Sequence, residues 1–232
     1  LDISNGGTYG ELVNVQARLV IKHPQNLSFE DAAAVWMPYV TAWGALIEQA
    51  KLSGGEAVII SAASSSVGIA AFQIAKAVGA TVIATTRTGA KRQALLDAGA
   101  DHVVATDEED LVAKVMEITD GNGARVVFDP VGGPSFEPLT ASMARGGILL
   151  EYGVLSAEPT PFPLFTVLSK SLTLKGYLYV EVVSDDAILE RAKTFITDGL
   201  VSGALKPLIA RTFAFADIQD AHRFLESNEQ IG

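Results

Sequence analysis

Six short runs of branched aliphatic residues punctuate the middle of this chain at almost equal intervals. Val58-Ile59-Ile60, Val82-Ile83, Val103-Val104, Val126-Val127-Phe128, Ile148-Leu149-Leu150 and Leu172-Thr173-Leu174 begin 24, 21, 23, 22 and 24 residues apart. None alternates with polar residues, so each is expected to be a strand buried on both faces, as in a parallel sheet. Each interval has room for one crossover helix and two short loops. Helices are predicted over residues 67–78, stopped by Gly79, and over 91–98, stopped by Gly99. Two more are predicted over 109–118, behind the acidic turn Asp107-Glu108-Glu109, and over 134–144, opened by a proline and stopped by Gly146-Gly147. The segments share no repeated sequence, so a solenoid gives way to an α/β, doubly wound parallel sheet.

The flanks follow other patterns. Residues 9–22 (YGELVNVQARLVIK) alternate apolar and polar, like an antiparallel strand pair exposed on one side. Ser28-Phe29-Glu30-Asp31 has the form of a capped start for a helix through Trp36. Residues 185–197 form an amphipathic pattern with Ile188, Leu189, Ala192 and Ile196 on one face. A strand-like stretch over 208–213 and a helix over 215–225 close the chain, which ends at Ile231-Gly232 as a piece of a longer protein would.

Composition narrows the function. With 17 Lys and Arg against 27 Asp and Glu, the net charge is −10, so sequence-independent binding to nucleic acid or anionic lipid is not expected. The absence of cysteine removes disulfides, thiolate catalysis and thiolate-bound zinc. The longest uncharged run, 57–75, contains Ser64-Ser65-Ser66, Gly68 and Gln73, and reads as strand, turn and helix rather than a membrane span. No signal peptide pattern precedes Leu1, so a cytoplasmic location is expected.

The most informative stretch is 57–79, AVIISAASSSVGIAAFQIAKAVG. A buried strand enters a turn of small residues and a helix starts at once, which presents helix N–H groups and the helix dipole to a pyrophosphate. Ser64, Ser65 and Ser66 stand where glycines are common, and serine hydroxyls also donate to phosphate. A tight turn without a ligand is the simpler alternative. At the end of the second strand, an NAD-binding sheet carries an acid for the ribose hydroxyls. Here Thr85-Thr86-Arg87 is followed by Lys91 and Arg92. Three cations in an acidic chain favour a 2′-phosphate, and hence NADPH over NADH. A solvated helix start is the plain alternative.

Thr41-Ala42-Trp43-Gly44-Ala45-Leu46, Gly55, the AASSSVGIAAFQIAKAVGA stretch, Ala98-Gly99-Ala100-Asp101 and Val127-Phe128-Asp129-Pro130-Val131-Gly132-Gly133 together resemble the medium-chain dehydrogenase/reductase superfamily. Within it the likeness is to the zinc-independent, quinone oxidoreductase-like (zeta-crystallin type) branch. The resemblance implies a Rossmann cofactor domain over 31–180. It also implies remnants of a GroES-like β substrate domain at both ends, in 1–30 and 181–232. By the same resemblance, Thr41 lies beside the nicotinamide and Ser65, Ser66 and Val67, with Ser64, form the pyrophosphate loop. Arg87 and Lys91 contact the 2′-phosphate. The loops Asp129-Pro130-Val131-Gly132 and Tyr152-Gly153-Val154 hold the adenosine side and the nicotinamide. Four residues before Thr41, where the alcohol dehydrogenase branch has a zinc-binding cysteine, stands Met37, a poor zinc ligand, so no metal is expected.

The implied activity is NADPH-dependent hydride transfer to a quinone or an α,β-unsaturated carbonyl. The alternatives are an enoyl reductase module of a polyketide or fatty-acid synthase, or a non-catalytic NADP-binding scaffold. The expected partner is a small molecule. The Tyr-rich end of 172–180 also offers an edge where a second copy could extend the sheet into a homodimer, or is an ordinary covered edge. The catalytic proton donor is not identified. Tyr39 is the one weak candidate, with crevice packing as its plainer role. His23, His102 and His222 fall in separate elements and read as structural, as do Trp36 and Trp43.

Overall fold

The computed structural model describes residues 9–232. Among them, β1 (Ala57–Ile60), β2 (Thr81–Thr86), β3 (His102–Ala105), β4 (Ala124–Asp129), β5 (Met143–Glu151) and β6 (Thr173–Gly176) form one sheet in the order β3-β2-β1-β4-β5-β6. Every neighbouring pair is parallel. Each crossover carries one α-helix: α3 (Ser66–Ala77), α4 (Arg92–Asp97), α5 (Leu111–Ile118), α6 (Phe136–Ala141) and α7 (Leu164–Lys170). Ahead of the sheet lie α1 (Phe29–Ala33) and α2 (Trp36–Trp43); after it come α8 (Val180–Val183), α9 (Asp186–Ser202) and α10 (Ile218–Glu226). The expected doubly wound α/β sheet is present, with its order reversing between β1 and β4.

The two-residue period of the strands sorts the core into two layers. Val58, Ile60, Val82, Ala84, Phe128 and Leu150 pack with α2, α3 and α9. Ile59, Ile83, Val104, Val127 and Leu149 pack with α5 and α6. Helix α9 joins the first layer through Leu189, Ala192, Ile196 and Leu200. It starts at an Asp185 cap, whose carboxylate accepts from Ala187 and Ile188 N–H. Ser28 caps α1 by accepting from Asp31 N–H, as the sequence predicts. That helix stops at Ala33, and a second begins at Trp36.

Several boundaries depart from expectation. Residues 9–22 hold no strand, only a short 3-10 turn at Ala17–Leu19, and Leu12 and Val13 lie exposed. An alternating segment needs a partner for its ladder hydrogen bonds, and none runs beside it among the described residues. The 208–213 stretch likewise forms no strand; the Arg211 guanidinium lies over Phe213 at 4.6 Å, and Phe213 meets Phe224 of α10. The fifth helix begins at Leu111 rather than Glu109, because Asp110 supplies the cap by accepting from Ala113 N–H. The 134–144 helix is cut short at Ala141, because Met143 already pairs with Ala124. Gly146-Gly147 then lies inside β5, at a register shift between Ala124 and Val126, instead of stopping a helix. The last strand ends at Gly176, and the chain turns into α8 rather than continuing to residue 180.

At Gly68 helix and turn approach too closely for a side chain. A β-carbon there would sit 2.5 Å from the Ala63 carbonyl oxygen, since α3 presses directly onto the turn leaving β1. Gly68→Ala is expected to destabilise the protein by about 1–3 kcal/mol, read as a lower urea midpoint with unchanged slope. An unaltered midpoint would show that the turn yields freely.

Candidate functional site

The carboxyl ends of parallel strands collect the chain's polar groups, and the reversal between β1 and β4 leaves a crevice there. From β1 the backbone passes through Ser61 and Ala62, which takes a positive φ of 44°, into Ser64, Ser65 and Ser66. Ser65 caps α3: its hydroxyl oxygen accepts from Gly68 N–H at 3.1 Å. Its own proton remains free to point outward. Ser66 is exposed and Val67 half-buried at the first turn of α3, so their N–H groups face the crevice end of the helix.

At the end of β2, Arg87 is exposed and makes no ion pair among the described residues. Lys91 is half-buried. Its ammonium donates to Ser64 Oγ (3.1 Å) and to the carbonyls of Asn228 (2.6 Å) and Gln230 (2.8 Å). Burial, then the nearby Arg87 charge, pulls its pKa below the usual lysine value. Gly232 N–H reaches the Ser64 carbonyl at 3.0 Å, so the 228–232 segment lies against the serine turn, which no sequence motif marks. The third cation, Arg92, is committed elsewhere: its guanidinium donates to Glu109 and to the Val103 carbonyl.

On α2, the Thr41 hydroxyl donates to the Met37 carbonyl at 2.7 Å. The Tyr39 phenol is buried and donates to Gln73 Oε1 at 2.7 Å; the Gln73 amide in turn bonds the Lys206 backbone in both directions. Gln73 lies two turns along α3 from the serine turn, so Tyr39 is part of a packing clasp, the plainer of its two expected roles.

The ends of β4 and β5 hold a feature that no sequence motif marks. Asp129 is fully buried, and its carboxylate accepts from the Ser61 hydroxyl and from Val131 and Gly132 N–H. Three donors thus surround it. Directly across the ladder stands Glu151, with both carboxyl oxygens buried between Asp129 and the Gly153 backbone. Burial first, and the Asp129 charge second, raise its pKa to about 8. At neutral pH Glu151 therefore keeps its proton. Only the register brings these acids together, 22 residues apart in sequence, so the signal in the sequence is no more than an acid ending each strand.

Above the pair, Leu155 N–H bonds the Pro130 carbonyl and Ser156 N–H bonds the Val131 carbonyl. These bonds join the two loops that contain Asp129, Val131, Gly153 and Val154. Gly153 is required there, as a β-carbon would lie 2.8 Å from the Pro130 oxygen. Beyond them opens a cleft of about 690 Å³ whose walls include Tyr152, Gly153, Val154, Tyr177, Leu178 and Glu181. The structure thus gathers Ser64, Ser65, Arg87 and Lys91 around one turn. Asp129, Val131, Gly153 and Val154 collect at a second point on the same sheet edge.

Residues 66–193 match the family described as zinc-binding dehydrogenase. Quinone oxidoreductase 1 of Escherichia coli is 33% identical over 234 residues, covering 97% of this chain and 70% of that protein. The chain belongs to the quinone oxidoreductase-like branch of the medium-chain dehydrogenase/reductase superfamily. A solved structure of the Escherichia coli quinone oxidoreductase complexed with NADPH matches with a TM-score of 0.85 at 31% identity, over 97% of this chain and 70% of that one. A phenolphthiocerol/phthiocerol polyketide synthase of Mycobacterium tuberculosis is 30% identical over 227 residues. That match takes in 97% of this chain, which spans only 10% of the synthase polypeptide. No helix among the described residues is long and apolar enough to cross a membrane.

The acid pair has a measurable consequence. Unfolded, Glu151 loses its proton near 4.5; folded, near 8. Between those values the folded state binds the extra proton, so its contribution to stability falls as pH rises from about 4.5 to about 8 and is level beyond. Glu151→Gln removes this slope. The variant is expected to resist urea better than the parent at pH 8, by on the order of 2 kcal/mol, and to match it at pH 4.5. The same difference at both pH values would contradict the raised Glu151 pKa.

Proposed function

We propose that this protein transfers a hydride from NADPH to a quinone or an α,β-unsaturated carbonyl. The observation that carries the reading is the pair Arg87 and Lys91, beside the Ser64-Ser65 turn, where an NADH-binding sheet has an acid. These residues fit a phosphorylated dinucleotide. The N–H groups of Ser65, Ser66 and Val67 and the free Ser65 proton suit its pyrophosphate. The Arg87 fork and the Lys91 ammonium suit its 2′-phosphate. Lys91 already donates to backbone carbonyls, and can exchange them for phosphate oxygens without losing hydrogen bonds.

Asp129 and Val131 would hold the adenosine side of the ligand, with Thr41, Gly153 and Val154 at the nicotinamide end, next to the cleft. When bound, NADPH supplies the hydride. The protein's own contribution is to orient donor and acceptor and to exclude water, which the mostly apolar cleft walls favour. An acceptor that is already electrophilic needs no Lewis acid, which suits a chain with Met37 four residues before Thr41. Tyr39 is not part of this proposal, since its phenol is engaged by Gln73. In this reading 31–180 form the cofactor domain, and 1–30 and 181–232 belong to the substrate domain; residues 1–8 lie outside the described residues.

A second reading, an enoyl reductase module acting on 2-enoyl thioesters, is supported by the 30% identity to the polyketide synthase across 97% of the chain. Turnover of a thioester in preference to a quinone would favour it. The cofactor assignment is tested apart from the acceptor. Arg87→Ala should weaken NADPH binding by about 1.5–3 kcal/mol, as expected for a lost hydrogen bond to a charged group, and leave NADH nearly unchanged in calorimetric titration. Equal losses for the two coenzymes would remove the 2′-phosphate assignment.

A further inference from the structure

One polar atom beside the serine turn has no structural use. Tyr152 follows β5 and lays its ring against Phe128 of β4, with centroids 3.9 Å apart and planes within 18°. That stack crosses the end of β4 toward β1, and the phenol oxygen arrives beside the Ser65 side chain. There it is sealed from solvent, and the Ser65 side chain is the one hydrogen-bonding group it meets among the described residues. A buried, unpaired hydroxyl costs stability, and phenylalanine would stack as well without it. Burial, with the Asp129 charge next, pushes the phenol pKa up, so the group stays a proton donor at every working pH.

We infer that the Tyr152 hydroxyl is a positioning residue for dinucleotide binding and acts through Ser65. The hydrogen-bond arithmetic of a serine hydroxyl supplies the reason: one proton and two lone pairs. One lone pair already accepts from Gly68 N–H. When the Ser65 proton turns outward to a pyrophosphate oxygen, the second lone pair is left facing the protein. Tyr152 is the donor beside it. The phenol then donates to that lone pair, and Ser65 is held with its proton toward the anion. Because the phenol must be the donor only when Ser65 gives its proton to the ligand, its effect falls on affinity more than on the stability of the free protein.

This inference rests on the dinucleotide reading of the site, and the test separates the two. Calorimetric titration of the intact protein with NADPH and with NADH is compared for the parent, Tyr152→Phe, Ser65→Ala and the double variant. Tyr152→Phe should weaken both coenzymes by about tenfold, equally, since both carry the pyrophosphate, while its melting temperature is unchanged or higher. In the Ser65→Ala background the same substitution should change nothing further. Parent-like affinity in Tyr152→Phe, an undiminished effect without Ser65, or a loss of folding would each overturn the inference. Absence of heat from the parent with either coenzyme would instead overturn the dinucleotide reading beneath it.

Discussion

Between the first strand and the helix that follows it there is no room for a β-carbon. The 2.5 Å that would separate such an atom at residue 68 from the Ala63 carbonyl fixes how close α3 comes to β1, and much of the site follows from that distance. The helix begins immediately at Ser66, so its first N–H groups emerge at the sheet edge rather than behind it. Ser65 becomes the cap because it is the last residue before the helix, and capping directs its oxygen inward and its proton outward. Ser64, one residue earlier, is left where Lys91 can reach it. A larger residue at 68 would move these groups together, which is why a single surviving glycine suffices in a turn otherwise made of serines.

What was legible in the sequence were features whose signal is local. Runs such as Val58-Ile59-Ile60 state their burial by composition, and their spacing states the crossover, so the parallel sheet could be drawn from one chain. The serine turn and the basic residues after Thr86 were legible for the same reason, as each is a short contiguous motif. Misread segments were those whose fate depends on a distant partner. Residues 9–22 have strand periodicity but no neighbouring strand, and Met143 leaves its helix because Ala124, 19 residues earlier, pairs with it. Within the site, Asp129 was found by motif, but its neighbour Glu151 was not. Two acids that end separate strands become a coupled pair only when register sets them side by side. The contact of Asn228 and Gln230 with Lys91 was hidden in the same way, since backbone carbonyls carry no residue identity.

Charge is distributed with the same economy. The chain carries ten more acids than bases, yet the basic residues near the turn divide by task. Arg92 is neutralised locally by Glu109 and serves the β3 junction. Arg87 has no such partner, and Lys91 meets only neutral oxygens. Ligand charge is therefore most stabilised where protein charge is left uncompensated, and the surrounding acidity sharpens the contrast by repelling anions from the rest of the surface. On the opposite side of the switch point the logic reverses. Asp129 is satisfied by three donors and Glu151 is kept neutral at pH 7, so the loops bearing Val131 and Gly153 rest on carboxyls rather than on cations.

A fold selected for stability alone would not leave hydrogen-bonding groups unused in its interior. Here Glu151, Tyr152 and Tyr177 all border the same cleft, and each has a buried oxygen without a partner. In the sheet beneath them the strand backbones are paired, and one buried side-chain nitrogen, Arg125 Nη1 in β4, lacks a partner. Trp43, Arg125 and Gln230 carry such atoms elsewhere, but four of the seven among the described residues belong to the three residues that share this cleft. Such clustering is expected where selection has held polar groups ready for something other than the protein itself. It is a physical pointer to the site that requires neither a motif nor a relative, and it falls beside the cleft that the serine turn and the two cations approach from the other half of the sheet.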